Sequence, residues 1–421
     1  MKLVVATYGT EGDARPMAAL CRAWIDAGHS ATLLADAATL GAAAAMDVPV
    51  IALAGDIRDA LRPGQALSRA VEKSGGASRT ARAIAGIANA HAEDWVRQIA
   101  DCARDADGIV AAGLAAFAAL SVAEQRRLPV AGAGLFPLHP TSAFAAPFLP
   151  PARVPRWLNR ASHVAINALL WRGFRSRIND ARGRVLGLPP RKAMWTGYPA
   201  LYGISPTLLP RPADWPDDVV LCGQWRTAAR QDWTPPAPLT DFLADGDAPI
   251  YIGFGSMAGF DRQRLLDAMI GAVAGRRALF YPGWSGIDVR ALPGNFHVVG
   301  NTPHDWLLPR TALAIHHGGS GTTHSVAAAG VPAIIMPFAG DQPFWAHRMH
   351  ALGIAPAPVD GRRPTAAALA GAALAGAALA GAIDAASQPG MRARAKAIAE
   401  AMATEDGLAC GVETLRRIFV R

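Results

Sequence analysis

The sequence predicts an α/β protein with two doubly wound parallel-sheet domains of the Rossmann-like type, and three observations predict it. A chain of 421 residues is too long for one ordinary hydrophobic core, so two domains are expected. Strand-like apolar runs alternate with helix-like segments, and the alternation restarts after a proline-rich stretch. Residues 313–342 have the pattern of a buried strand, a glycine loop, a helix and a second strand.

In the first half of the chain, apolar runs bounded by polar breaks or glycine turns predict strands. Gly28 is the predicted C-cap of the first helix. A long segment before Gly187 predicts one or two helices with an apolar face, formed by Trp157, Val164, Ile166, Leu169 and Leu170. The predicted strands cover residues 3–7, 31–35, 109–112, 130–133, 201–204 and 219–221, and the predicted helices about 16–27 and 155–186.

Residues 224–238 are the predicted linker, because Pro235, Pro236 and Pro238 lie close together there. The predicted elements after it are strands at 250–254, 278–281, 297–299, 313–315 and 333–336 and a helix at 262–274. Ligands of such sheets bind at the carboxyl ends of the strands. We therefore expect the site in the cleft between the two domains.

The formal net charge of +8 indicates a solvated basic surface, with peripheral attraction to an anionic membrane surface as the alternative. The arginines form no dense block and no nucleic-acid motif, so nucleic acid is not an expected partner. The four cysteines show no metal-type spacing and the N-terminus shows no signal-peptide pattern, so a cytoplasmic location is expected. No segment is a convincing membrane span.

Residues 369–383 repeat every five positions, as LAGAALAGAALAGAI. Leucines five apart drift by about 140° around a helix, so the pattern predicts no apolar stripe. We expect a surface helix and leave its role open.

The loop after the strand at 313–315 has the composition of an anion site. His316 and His317 precede a run of glycines and hydroxyl residues that enters a helix. Backbone N–H groups at a helix N-terminus attract anions, and glycines allow a phosphate to come close. Asp341 and Gln342 follow the next strand and should open on the same edge of the sheet. The combination favours a phosphate-linked sugar as the ligand.

Several segments of the chain together resemble a known family. The segment HHGGSGTTHSVAAAGVPAIIMPFAGDQPFWAHR, at 316–348, resembles the nucleotide-sugar signature of the inverting family 1 glycosyltransferases. It is most similar to the bacterial and fungal branch that holds sterol glucosyltransferases and glycopeptide-antibiotic glycosyltransferases. The segments GTEGDARPMAAL, IYIGFGSM and HDWLLPR also fit, at 9–20, 250–257 and 304–310.

The resemblance implies the GT-B fold and assigns a role to each domain. Residues 1–223 would form an acceptor-binding domain and residues 239–403 a nucleotide-sugar donor domain. Residues 404–421 would form a C-terminal helix that crosses back to the N-terminal domain.

The resemblance also implies the general base. Inverting transfer needs one group to take the proton of the acceptor hydroxyl, and Asp13 is the expected base. The alternative is that Asp13 caps the following helix. On the acceptor side we expect Thr10 from the same loop as Asp13. We also expect Phe136, His139 and Phe144, because the loop after the strand at 130–133 is apolar.

The donor residues are carried over in the same way. His317 would bind the diphosphate, Asp341 and Gln342 the sugar hydroxyls, and Trp284 would stack on the base. Asp341 as a helix N-cap is compatible with its role, whereas Trp284 as a core residue is an alternative to stacking. The remaining donor candidates are Ser256, Gly319, Ser320, Gly321 and Thr322 for the diphosphate and Asn301 and Thr302 for the base.

No metal site is expected. Two Asp-x-Asp triplets, 105–107 and 245–247, both precede a strand and so belong at the amino end of their sheets. The adjacent His316 and His317 point to opposite sides and have no evident third ligand.

The sequence therefore predicts a metal-independent inverting enzyme without a cofactor beyond its co-substrate. It would move a hexose, with glucose from UDP-glucose favoured over dTDP sugars, to a hydroxyl of a sterol, polyketide, phenolic or lipid. The alternatives are a non-hydrolysing nucleotide-sugar epimerase and a non-enzymatic auxiliary protein of a transferase. The acceptor, the sugar and the oligomeric state are left open.

Overall fold

The computed structural model describes residues 1–62, 76–226, 233–255, 262–359 and 368–420. The chain divides into two compact units. The first takes the described residues up to Arg226 and again from Glu405, and the second takes those from 233 to Thr404. No helix among the described ranges is long and apolar enough to cross a membrane.

Strands and helices alternate along most of the chain. The strands are β1 Lys2–Ala6, β2 Ser30–Asp36, β3 Val50–Leu53, β4 Gly108–Ala112, β5 Val130–Gly134, β6 Ala200–Tyr202, β7 Val219–Leu221, β8 Ile250–Gly253, β9 Ala278–Tyr281, β10 Phe296–Val298, β11 Leu313–His316 and β12 Ala333–Ile335. The helices are α1 Glu11–Asp26, α2 Gly41–Ala44, α3 Ile57–Ala60, α4 Gly76–Cys102, α5 Ala116–Arg126, α6 Asn159–Leu186, α7 Ala237–Ala244, α8 Arg262–Val273, α9 His304–Leu307, α10 Ser320–Ala328, α11 Gln342–Ala351, α12 Ala368–Ala386, α13 Pro389–Met402 and α14 Gly407–Phe419.

The first unit is built on a parallel sheet with the order β3-β2-β1-β4-β5-β6-β7. The strand order reverses between β1 and β4, which is where ligands of doubly wound sheets bind. The C-terminal helix α14 completes the core of this unit, since its Leu415 and Phe419 are buried with Leu20 and Trp24 of α1. The segment before residue 227 also belongs to the unit, because Trp225 is buried in the same core.

The second unit is built on a parallel sheet with the order β10-β9-β8-β11-β12. Its reversal lies between β8 and β11, whose residues pair from Leu313 with Ile250 to His316 with Gly253. Both sheets therefore have the same doubly wound design, and the predicted fold class is confirmed.

Helix α1 begins earlier than the sequence suggests. The sequence predicts a helix from about Pro16. The structure begins α1 at Glu11, so Pro16 lies inside the helix and Asp13 in its first turn. The expected loop at 9–15 is therefore mostly helical.

The predicted apolar face of α6 is wrong for Trp157, Val164 and Leu169 and confirmed for Ile166. The helix is continuous over Asn159–Leu186, and it buries Ile166, Trp171 and Phe174. Trp157 just before it and Val164 within it are exposed by 81% and 56%. These residues form an outward apolar stripe instead of a core face.

The repeat in α12 is not purely a surface helix. Within its described side chains, Leu379 and Ile383 are fully buried, and Ala382 and Ala386 lie on the same side. These positions follow the i, i+3, i+4, i+7 spacing of a helix face. The end of the repeat thus packs into the core of the second unit.

Candidate active site

In the second unit, three strand-end loops meet at the point where the strand order reverses. A Cβ added to Gly255, after β8, would lie 3.2 Å from Cε1 of His317, after β11. The carbonyl of Gly255 accepts a hydrogen bond of 2.9 Å from the backbone N–H of Trp284, after β9. The loops that carry the predicted donor residues are therefore in direct contact.

The glycine loop itself is shaped by close packing. Gly318 has φ +89°, and a Cβ there would lie 2.6 Å from Cγ2 of Ile335 on β12. A Cβ on Gly319 would lie 2.5 Å from Nε2 of His317. Only glycine fits both positions without displacing a neighbour, and the loop leads directly into the N-terminus of α10.

Three buried polar atoms around this loop have no hydrogen-bond partner among the described residues. They are Nε2 of His316, Nδ1 of His317 and Oγ1 of Thr323. Buried polar groups are normally paired, so such a cluster indicates a ligand with several acceptor atoms. A phosphate group has that chemistry.

Both histidines are neutral here. Burial lowers the pKa of His317 to about 4. Burial also lowers the pKa of His316 well below its ordinary value, and the nearby rings of His317 and His304 lower it further. The N–H of Gly318 donates to Nδ1 of His316 at 3.1 Å, so the proton of that ring is on Nε2. The unpaired Nε2 of His316 is therefore a donor.

The predicted acid-amide pair opens helix α11. The Nε1–H of Trp345 donates to Oδ2 of Asp341 at 2.8 Å. Oε1 of Gln342 accepts from the backbone N–H groups of Phe338 and Ala339 at 2.7 and 3.0 Å. Both side chains are thus held in place, and part of each is used to shape its own loop.

Sequence reasoning assigned no role to Trp345 or His324. Nδ1 of His324 lies 2.7 Å from the carbonyl of Ser320, and its ring meets that of Trp345 edge-on with centroids 4.9 Å apart. The pair connects the first turn of α10 to Asp341. The available signal was the helical spacing of Asp341 and Trp345, which places both on one face.

The other predicted donor residues are distributed around the same sheet edge. Trp284 is half-buried, Asn301 is exposed, and the N–H of Thr302 bonds to the carbonyl of Gly300 at 2.8 Å. Gly321 and Thr322 are half-buried in the first turn of α10, which begins with the buried Ser320. Ser256 lies outside the described residues.

In the first unit, Asp13 lies beside the β1–β4 reversal in the first turn of α1. Its Oδ2 accepts from the backbone N–H of Thr10 at 2.8 Å and from Oγ1 of Thr10 at 3.3 Å. A Cβ on Gly9 would collide with the same carboxylate. The capping alternative is therefore correct for one oxygen, because Asp13 closes a capping box with Thr10.

The second oxygen of Asp13 has no hydrogen-bond partner within the described part of the chain. Burial raises the pKa of Asp13, and the two bonds from Thr10 offset this in part. One oxygen is thus fixed to the helix start, and the other can accept a proton.

Polar contacts with Tyr202 and His163 hold the apolar loop after β5 in place. Nδ1 of His139 lies 2.8 Å from the hydroxyl of Tyr202, and Nε2 of His163 lies 3.1 Å from the carbonyl of Phe144. Burial lowers the pKa of both histidines. Phe136 is half-buried and meets Phe148 edge-on at 5.1 Å between centroids. His163 holds the part of the loop that carries Phe144, and no sequence feature indicated this role.

Residues 264–406 match a family model described as erythromycin biosynthesis protein CIII-like, C-terminal domain. A sterol 3-beta-glucosyltransferase of Arabidopsis thaliana is 30% identical over 85% of this chain and 58% of its own length. An O-mycaminosyltylonolide 6-deoxyallosyltransferase of Streptomyces fradiae is 36% identical over 59% of this chain and 58% of its own length.

The chain is similar in sequence to the family 1 glycosyltransferases. It spans little more than half the length of these two curated relatives. The structure of a spinosyn rhamnosyltransferase covers 99% of the chain with a TM-score of 0.67 at 18% identity, and shares its fold.

The protein has no group of three His, Cys, Asp or Glu side chains placed to hold a metal ion in the ranges that the structure describes. The first Asp-x-Asp triplet holds Lys2 instead. Asp107 accepts from the backbone N–H of Lys2 at 2.6 Å, and Asp105 pairs with its Nζ at 3.1 Å. In the second triplet, Asp245 is the C-cap of α7. Both lie before a strand, at the amino end of the sheet.

Proposed function

We propose that the protein is a family 1 glycosyltransferase that moves a hexose from a nucleotide diphosphate sugar to a hydroxyl of a hydrophobic small molecule, with inversion. The proposal includes glucose as the sugar and UDP as the favoured carrier over dTDP. The observation that carries it is the set of unpaired buried polar atoms around the glycine loop after β11. The nucleotide sugar is a co-substrate, and the proposal requires no cofactor.

On the donor side, the diphosphate would lie against the glycine loop. The Nε2–H of His316, the ring of His317 and the hydroxyl of Thr323 supply side-chain donors, and the first turn of α10 supplies backbone N–H groups. These donors would stabilise the negative charge that develops on the leaving diphosphate. Because the histidines are neutral, the attraction comes from N–H dipoles and the helix terminus.

The sugar and the base would lie against residues beside the glycine loop. Asp341 and Gln342 would bond the sugar hydroxyls from positions fixed by Trp345 and by the backbone at 338–339. The base would lie near Trp284, where the loops after β8 and β9 touch. The further donor residues of the proposal are Ser256, Gly319, Ser320, Gly321 and Thr322 at the diphosphate and Asn301 and Thr302 at the base.

On the acceptor side, Asp13 would act as the general base. Its unpaired oxygen would take the proton of the acceptor hydroxyl. The hydroxyl oxygen of the acceptor would attack the anomeric carbon at the same time, and the diphosphate would leave. The raised pKa of Asp13 lies closer to that of the attacking hydroxyl, which makes its carboxylate a stronger base than that of an exposed aspartate. Thr10, Phe136, His139 and Phe144 would line the acceptor.

The names of relatives support a hydrophobic acceptor. They include sterol 3-beta-glucosyltransferases and a tylonolide glycosyltransferase, and two structures of the same fold hold thymidine diphosphate and a spinosyn aglycone. The proposal assigns the acceptor to residues 1–223 and the donor to residues 239–403, with 404–421 returning to the first. We also propose a cytoplasmic location with peripheral contact to the inner membrane face, which sugar transfer itself does not require.

The donor assignment is tested by thermal stabilisation with a panel of UDP and dTDP sugars. The favoured donor should stabilise the protein most. Gly319→Ala places a Cβ 2.5 Å from Nε2 of His317 and so displaces that ring. The hydrogen bond proposed between His317 and the charged diphosphate would be lost, and donor binding should weaken about tenfold. Gly271→Ala is the matched control, since its Cβ would meet nothing within 4 Å.

Two outcomes would contradict the proposal. If no nucleotide sugar stabilises the protein, the donor site is wrong. If UDP-glucose alone is converted to an epimer without any acceptor, the protein is an epimerase rather than a transferase.

A further inference from the structure

The outward side of helix α6 carries an apolar stripe that the fold leaves uncovered. Trp157, Val164 and Leu169 are exposed by 81%, 56% and 37%. Three small residues continue the stripe on the same side, namely Ala161, Ala165 and Ala168. Soluble proteins rarely expose apolar side chains in a continuous stripe, so this surface is a candidate contact site.

Arginines flank the stripe at both ends. Arg153, Arg156 and Arg160 lie at its N-terminal end, and Arg172 and Arg175 at its C-terminal end, all exposed. The charge pattern reaches beyond the helix, because residues 125–179 contain eight arginines and no aspartate or glutamate.

Few acidic groups from neighbouring elements neutralise this surface. Asp214 lies 3.5 Å from Arg160, and Asp180 lies 3.9 Å from Arg177. Arg153, Arg156, Arg172 and Arg175 have no ion-pair partner in the described part of the chain. The surface therefore combines an exposed tryptophan, a shallow apolar stripe and uncompensated positive charge.

We propose that this face of α6, with the segment 153–158 before it, docks on an anionic lipid bilayer. Tryptophan favours the boundary between headgroups and acyl chains. Arginine side chains can lie along the apolar surface and keep their guanidinium groups among the phosphates. The absence of carboxylates from residues 125–179 is what an anionic surface requires.

The opposite side of the same helix holds the loop assigned to the acceptor. Nδ2 of Asn159 bonds to the carbonyl of Ser142 at 2.9 Å, and Oγ of Ser162 accepts from the N–H of Ala146 at 2.9 Å. Nδ2 of Asn167 donates to the carbonyl of Leu138 at 3.2 Å. One helix thus connects the docking face to the loop that would receive a membrane-dissolved acceptor. This link to the acceptor rests on the proposed function, whereas the docking does not.

The test is sedimentation of the full chain with vesicles of two compositions. Phosphatidylcholine mixed with equal parts of phosphatidylglycerol should bind the protein, phosphatidylcholine alone should bind it weakly, and high salt should release it. The double variant Arg153→Gln, Arg156→Gln should lose binding by about fivefold per arginine. Trp157→Ala should reduce binding at all salt concentrations.

Matched controls separate docking from total charge and from stability. Arg392→Gln with Lys396→Gln removes the same charge from the exposed side of α13 and should bind vesicles as the wild type does. Val298→Ala trims another exposed apolar residue and should also have no effect. Thermal unfolding of each variant verifies that the fold is retained.

Three results would overturn the proposal. They are no binding to the anionic vesicles, equal loss in the α13 control, and a concentration-dependent dimer in solution that Trp157→Ala dissociates. Sugar transfer to an acceptor dissolved in detergent separates this proposal from the proposed function. Vesicle binding without transfer would refute the function alone, and transfer without vesicle binding would refute the docking alone.

Discussion

Asp13 uses its two carboxylate oxygens for different purposes. Oδ2 accepts two bonds from Thr10 and fixes the start of α1, while burial raises the pKa of the group. A helix N-terminus stabilises a carboxylate, and desolvation opposes that stabilisation. The balance keeps the side chain in one orientation without removing its ability to take a proton.

Removing the hydroxyl of Thr10 should shift the pH dependence of transfer. A general base works when it is deprotonated, so kcat/KM should fall at acidic pH as Asp13 becomes protonated. Thr10→Ala deletes a bond that lowers the pKa of Asp13, and the acid limb should move to higher pH. The measurement is kcat/KM against pH with the favoured donor and acceptor.

Thr10→Ser keeps the hydroxyl and should leave the acid limb in place. Asp13→Asn should reduce kcat/KM about a hundredfold or more while the protein stays folded. Folding does not need the charge, since a raised pKa in the folded state means that the ionised form destabilises the fold as pH rises. Full activity of Asp13→Asn would refute the assignment of the base.

At the scale of elements, the loop between β11 and α10 depends on the strand beside it. Gly318 packs against Ile335 of β12 and against the carbonyl of Gln342 at the start of α11. The glycine loop, the sheet and the acid-amide helix are therefore one packed unit, and none can shift alone.

Gly318→Ala should destabilise the protein more than a left-handed conformation alone can explain. The φ of +89° costs roughly 1–2 kcal/mol for an alanine, and the contact with Ile335 adds about 1–3 kcal/mol. Gly28→Ala is the matched control, because it has φ +87° but open space around its Cβ. Urea unfolding should show the larger loss of free energy for Gly318→Ala, and equal losses would exclude the packing argument.

The periodic parts of the elements were predictable, and the misplaced ones have physical reasons. Pro16 marked a helix start in the sequence, but Thr10 and Asp13 cap the helix before it. In α6, apolar residues occur on two sides, so composition could not tell that Trp157 faces outward and Trp171 inward. In α12, the five-residue repeat hid the pairing of Leu379 with Ile383 four positions later.

For the site, the sequence supplied the loops and the structure supplied the contacts. The resemblance placed His317, Asp341 and Gln342 on strand-end loops, where the second sheet does bring their loops together. It could not show that Trp345 holds Asp341, or that His316 carries an unpaired Nε2–H, because both depend on side-chain packing. Their roles in catalysis stay predictions.

At the scale of the whole molecule, the first unit is assembled from both ends of the chain. Helix α14 arrives after the second unit is complete, and its Phe419 lies against Gly108 of β4, where a Cβ would not fit. Gly411 and Gly407 make similarly close contacts with Trp225 and with the backbone at 223–224. The stability of the first unit therefore depends on residues that follow the second unit in sequence.

Phe419→Ala should separate the stability of the two units. Removing a buried phenylalanine leaves a cavity and should cost about 3 kcal/mol or more in the first unit, whereas Val420→Ala, at an exposed position, should cost less than about 0.5 kcal/mol. The favoured nucleotide sugar binds the second unit in our proposal, so its stabilisation of that unit should be unchanged, at about 2.7 kcal/mol for a hundredfold excess over Kd. Calorimetry with and without the nucleotide sugar would show one lowered transition and one that still responds to ligand. If Phe419→Ala also abolished the ligand response, donor binding would depend on the C-terminal helix as well as on the loops of the second sheet.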